Sequence, residues 1–225
     1  MLKENLDKVF NEIKNGNNLG EPITLVGATK TISADVINQA VEYGLRVVAE
    51  NKVQEFREKT NLIVGAKQHF IGHLQTNKVK YLVGKVELIH SVDSLHLAEE
   101  IDRVAKNRAV RQNVLVEINV GGELSKSGLT FLNAKEEVQK IIALCPNICV
   151  KGLMTMLPNT DDQDYLSSLC KKMRELFDDL KSINADFTYL SMGMSNDYKL
   201  AINNGSNMIR LGRTLFGERN YGEKK

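Results

Sequence analysis

The chain has 225 residues, 42% hydrophobic and 26% charged, the proportions of an ordinary globular protein and not of a disordered one. That length suits one large core or one eight-stranded α/β barrel, and it is short for two full domains. The 30 Lys and Arg against 28 Asp and Glu leave a formal charge of +2 with the signs interleaved, which argues against nucleic acid as a partner but allows a local cluster of donors around a small anion.

The first segment, MLKENLDKVFNEIK, predicts an amphipathic helix with Leu2, Leu6, Val9, Phe10 and Ile13 on one face. Its acidic residues break the continuous apolar core that a signal peptide needs. No apolar run approaches the ~20 residues of a membrane span, so no membrane role and a cytoplasmic location are expected. Residues 1–18 are expected to pack as a helix on a single barrel domain covering 1–225.

After the turn NGNNLG, one pattern recurs: a short apolar run, a polar or glycine-bearing turn, then helical periodicity. The runs are Ile23–Ala28, Arg46–Ala49, His69–Gly72, Glu87–His90, Val114–Val120, Ile148–Met154, Phe187–Leu190 and Met208–Leu211. Repetition of this kind predicts parallel strands joined by helices. Eight units in this length favour a closed (β/α)8 TIM-type barrel with an extra N-terminal helix over an open doubly wound sheet. Thr160 with Gln163 reads as a capping box ahead of the stripe Leu166, Leu169, Cys170, Met173, Leu176, Phe177 and Leu180. Asn133 with Glu136 is a weaker cap of the same kind, and Gly44 and Gly205 stand where helices stop. Cys145, Cys149 and Cys170 form no disulfide framework, and packing suits them better than metal binding.

In such a barrel the functional loops follow the C-terminal strand ends, and phosphate is often held after strands seven and eight. The first of these loops carries Lys30, in VGATK, and the second carries Asn51, which also reads as a helix cap. A lysine amine attacks an aldehyde only when unprotonated; taken alone, Lys30 better suits a solvated loop. Lys126, in GGELSKSG, is its rival. In SMGMSND, Ser195 is the expected N-cap of a short helix with Asp197 in its first turn; that helix end either binds an anion or is merely capped. Arg210 lies inside an apolar strand and must find a partner, either a ligand or a barrel carboxylate such as Glu117. His69 and His73 straddle a strand end, so their spacing of four does not make a zinc site.

These segments resemble the pyridoxal phosphate homeostasis proteins of the YggS/PROSC type over nearly the whole chain. The likeness rests on VGATKT, AENKVQEF, HFIGHLQTNK, NVGGELSKSG, KGLMTM, YLSMGMSND and IRLGRTLFGERNY. It implies the barrel of the alanine racemase N-terminal domain and the cofactor pyridoxal 5′-phosphate in imine linkage to Lys30. It further implies that Ser195 and the backbone at Gly212 and Arg213 hold the phosphate, that Arg210 faces the pyridine nitrogen, and that Asn51 and Met154 line the ring pocket. Gly27 stands where alanine is more usual, and Glu117 where an uncharged amide is common. Racemases of this fold use a second base, a tyrosine associated with a further C-terminal domain, and the chain ends soon after its last strand. The resemblance therefore implies a monomeric carrier that stores the cofactor and passes it to apo-enzymes by transient contact, without catalytic turnover of its own; the alternative is an alanine-racemase-like enzyme acting on amino acids.

Overall fold

The computed structural model describes residues 1–218; Arg219, Asn220 and Tyr221 of the last matched segment lie outside the described residues. In chain order the elements are α1 (Leu2–Ile13), β1 (Thr24–Ala28), α2 (Ala34–Glu42), β2 (Val47–Glu50), α3 (Val53–Lys59), β3 (Lys67–Phe70), β4 (Leu88–Val92), α4 (Leu95–Asn107), β5 (Gln112–Asn119), β6 (Leu129–Thr130), α5 (Ala134–Leu144), β7 (Ile148–Met154), α6 (Gln163–Ile183), β8 (Tyr189–Ser191), α7 (Tyr198–Asn203), β9 (Met208–Leu211) and α8 (Arg213–Phe216). Short 3-10 helices cover Thr76–Tyr81 and Phe131–Asn133.

All strand pairings are parallel, and the order β1-β2-β3-β4-β5-β7-β8-β9 closes through the β1–β9 ladder, where Val26 faces Arg210. This is the closed eight-stranded barrel expected from the eight apolar runs. The two-residue β6 adds only a short ladder beside β5. Where a third helix was expected after β3, the chain makes the 3-10 segment instead.

Three apolar clusters organise the molecule. Val26, Val47, Ala49, Leu88, Leu115, Met154 and Met208 fill the barrel interior. Leu6, Val9 and Ile13 of α1 pack with Leu25, Ile37, Ile209 and Leu215 on one flank. A larger cluster joins α4, α5 and α6 to the opposite strands, and buried, unpaired Cys145 and Cys170 belong to it.

The start of the long helix α6 differs from the sequence reading. Asp162, not Thr160, caps α6: its carboxylate accepts from Tyr165 N at 2.9 Å, whereas the Thr160 hydroxyl accepts from Asp162 N at 3.2 Å in a turn outside the helix. Asp162→Ala should therefore lower stability by about 1 kcal/mol, and Thr160→Ala by less, in urea unfolding curves. Asn133 occupies the cap position of α5 without a side-chain bond. Gly44 and Gly205 do end α2 and α7, with φ of 108° and 92°.

Candidate functional site

A cavity of about 420 Å³ opens at the C-terminal end of the barrel, lined among others by Ala28, Asn51, Met156, Ser195, Arg210 and Gly212. Of the residues singled out in the sequence, Asn51, Ser195, Arg210, Gly212 and Arg213 share this lining; Lys30 and Met154 are not part of it. Met154 ends β7 one layer lower, buried in the barrel interior. Lys30 is two residues beyond Ala28, on the rim.

The Lys30 turn is held from both sides. Ile32 N donates to Thr29 O at 3.0 Å, and Thr31 adopts φ = 68°, a conformation that a β-branched residue rarely takes and that costs on the order of 1–3 kcal/mol. Thr31 N donates to Glu55 Oε2 at 2.8 Å, and the Thr29 hydroxyl donates to Glu50 Oε1 at 2.7 Å. Lys59 closes the network, reaching Glu50, Glu55 and Thr29 O at 2.9, 3.2 and 3.1 Å. Burial pushes the Glu50 carboxyl up, against the opposing effect of Lys59. Lys30 itself makes no hydrogen bond or ion pair among the described residues. Lys126 differs: its ammonium is tied to Glu123 and to Leu157 O at 3.0 Å. That contrast separates two lysines that the sequence left as rivals.

Asn51 does not cap α3, since Lys52 occupies that position without a side-chain bond. Gly72 passes so close to Asn51 that a Cβ there would lie 1.9 Å from its carbonyl oxygen. The absence of that Cβ lets the β3 loop pack against the Asn51 backbone beneath the cavity.

Ser195 is not the N-cap of α7 either. The helix starts after Asp197, whose carboxylate accepts from Met194 N and so turns onto its own loop. The Ser195 hydroxyl instead accepts from Thr214 N at 3.3 Å, and Arg213 Nη2 donates to Asn196 Oδ1 at 2.9 Å. These two bonds tie the loop after β8 to the loop after β9. The N–H of Arg213, in the first turn of α8, has no acceptor within the chain among the described residues. An anion seated between these loops would meet that donor and the Ser195 hydroxyl.

Arg210 is 5% exposed. Nη1 donates to Ser191 O at 2.9 Å and to Ser191 Oγ at 2.7 Å, and Nη2 donates to Thr155 O at 2.9 Å. Its partners are neutral oxygens, so the direct Glu117 ion pair considered from the sequence is not formed. Burial lowers the guanidinium pKa to about 10, opposed by the more distant charges of Glu117 and Asp197. A guanidinium has five N–H donors; the Nε–H and one Nη2–H remain without a partner among the described residues, and the residue lines the cavity. An aromatic ring nitrogen bearing no proton is the kind of acceptor that such a donor suits. The residues therefore fit a flat, phosphate-bearing heterocycle: a buried donor at one end, linked anion-binding loops at the other, and an unengaged amine on the rim.

Residues 5–220 match the family model described as "Alanine racemase, N-terminal domain". The chain is 43% identical over 221 residues to the pyridoxal phosphate homeostasis protein of Aquifex aeolicus, covering 97% of this chain and 95% of that one. The human protein of the same name is 39% identical over 222 residues, with 89% and 78% covered. The chain belongs to the pyridoxal phosphate homeostasis protein family. The Synechococcus elongatus structure of PipY with pyridoxal phosphate bound superposes with a TM-score of 0.83 at 28% identity, covering 96% of this chain and all of that one.

Set within the pyridoxal phosphate homeostasis family, the sequence reading passed over several lining residues. Met156, Pro158 and Asn159 reach the cavity from the loop after β7, and Asn196 from the loop after β8. The period-2 alternation of a strand could have pointed to Met156, two residues beyond Met154 and on the same side. Nothing in the sequence marked Ser191 and Thr155 as the partners of Arg210, because both are small polar residues at strand ends far apart in the chain.

Proposed function

We infer that this chain stores pyridoxal 5′-phosphate and releases it to enzymes that require it, without turnover of a substrate. The observation that carries this reading is Arg210, which lines the cavity, is fixed through Nη1 and Nη2 by neutral oxygens and keeps an Nε–H without a partner among the described residues. When bound, the cofactor supplies an aldehyde that condenses reversibly with an amine, releasing water, and a pyridine ring that serves as a strong electron sink only when its nitrogen is protonated. Arg210 keeps its proton at neutral pH, so it donates a hydrogen bond to the ring nitrogen without protonating it. The site thus favours holding over carbanion chemistry.

Lys30 supplies the amine, Ser195 with the Gly212 and Arg213 backbone holds the phosphate, and Asn51 flanks the ring, with Met154 supporting it from the layer below. Handover proceeds by transient contact between a monomeric, cytoplasmic carrier and apo-enzymes, with no nucleic-acid or membrane partner. No helix among the described residues is long and apolar enough to cross a membrane.

Borohydride reduction after incubation with pyridoxal phosphate, followed by peptide mass analysis, should fix the cofactor on Lys30. Label on Lys126 with Lys30 unmodified would relocate the tether. A protein that takes up no cofactor would overturn the reading, and rapid solvent-deuterium incorporation into an amino acid would replace storage with turnover.

A further inference from the structure

Beneath Arg210 a file of polar side chains crosses the apolar barrel interior. Ser191 Oγ, on β8, lies 3.4 Å from His90 Nδ1, on β4, and His90 Nε2 lies 3.0 Å from His69 Nδ1, on β3. All three are buried, with His90 and Ser191 at 0% exposure. His69 in turn lines a second cavity, about 170 Å³, among residues at the N-terminal strand ends including Thr24, Lys67, Asn113 and Lys151. The file therefore runs from the floor of the barrel to the guanidinium at its upper end.

Donor and acceptor chemistry gives this file one direction. Arg210 has no acceptor, so Ser191 Oγ must accept from Nη1. The Ser191 hydroxyl proton is then directed to His90 Nδ1, which must be bare. His90 keeps its proton on Nε2 and donates it to His69 Nδ1; His69 keeps its own on Nε2, the ring nitrogen left for the lower cavity. Burial holds both imidazoles neutral, His69 with a pKa of about 3 and His90 well below the usual value. The opposite polarity would leave the buried Ser191 proton without an acceptor, at a real cost in a dry interior.

We propose that Ser191, His90 and His69 are positioning residues, a one-way hydrogen-bond file that holds the Arg210 guanidinium in the plane and rotamer that present its Nε–H to the cofactor ring. This rests on the reading that Arg210 meets the pyridine nitrogen. Arg210 is clamped by two carbonyls and one hydroxyl; only the hydroxyl can change its donor direction, and the two imidazoles fix that direction.

The test has two independent arms on the full chain. In the cofactor-free protein, long-range 15N–1H spectra of the imidazoles should show His69 and His90 both as the neutral Nε2–H tautomer at pH 7. An Nδ1–H tautomer at either ring overturns the file. In pyridoxal phosphate titrations, His90→Leu should weaken binding about tenfold or more and shift the visible absorption band, as expected when the buried Ser191 hydroxyl loses its acceptor and no longer holds one orientation toward Arg210. His90→Gln, whose amide both accepts and donates, should recover to within about threefold. Ser191→Ala removes a single oxygen with little change in packing and should reproduce the His90→Leu effect if the latter fails to fold. Wild-type affinity and an unshifted band in either disruptive variant overturn the proposal. A wild-type protein that binds no cofactor sinks the storage reading instead, while the tautomer arm still decides the file.

Discussion

Lys30→Ala should abolish both the imine absorption band and the borohydride-fixed label, the largest functional loss expected from any single substitution in this chain. The folded state should scarcely notice. Lys30 makes no hydrogen bond or ion pair among the described residues, and its turn is organised by Thr29, Thr31, Glu50, Glu55 and Lys59. Its removal should change unfolding free energy by less than about 0.5 kcal/mol. Residual binding through Ser195, Gly212, Arg213 and Arg210, without the imine band, should persist at higher cofactor concentration, measurable by calorimetry. A band that survives intact in the alanine variant would place the tether on another amine.

Glu117→Gln should raise stability at alkaline pH and leave it nearly unchanged in acid. Glu117 is 4% exposed inside the barrel, and burial together with Asp93 raises its pKa to about 7, against the opposing effects of Arg210 and His73. A carboxyl whose folded pKa exceeds its unfolded value near 4.5 stabilises the fold fully below 4.5, and that contribution is lost as pH rises through 7. The penalty for ionising it in the folded state is roughly 3 kcal/mol once both states are charged. Glutamine keeps the size and removes the charge. Urea unfolding of parent and variant should therefore agree near pH 4.5 and diverge by roughly that amount at pH 8. Equal stabilities at pH 8 would mean that Glu117 is solvated or paired in solution.

What the sequence displays and what it conceals follow physical lines. A strand buried on both faces must be an apolar run, so the eight barrel strands were legible; β7 and β9 match their runs end to end, and most other strand ends slipped by one or two residues, because hydrogen-bond register is absent from a one-dimensional pattern. Arg210 was conspicuous as a charge among apolar neighbours, and the loops that line the cavity beside it were legible from their position after β8 and β9. Its actual partners were not, since Ser191 and Thr155 carry no local signature. His69 drew notice only through its spacing to His73, yet its hydrogen-bond partner is His90, 21 residues away on the adjacent strand. Strand register decides that kind of contact. The caps went astray for a local reason: the Asp162 carboxylate takes the Tyr165 N–H, so α6 starts after Asp162 and not after Thr160, and the Asp197 carboxylate turns back onto Met194 N, so α7 starts after Asp197 without a side-chain cap bond.

Thr31 carries a consequence for how the rim lysine came to be dependable. A glycine at φ = 68° would fold more cheaply, but it would also leave the neighbouring backbone free to sample many headings. The threonine narrows that range, and Glu55 keeps it in the narrow well. Thr31→Gly would thus be a bargain for the fold and a loss for aim: the amine would still be present, but wandering, and each recapture of cargo would wait for it to return.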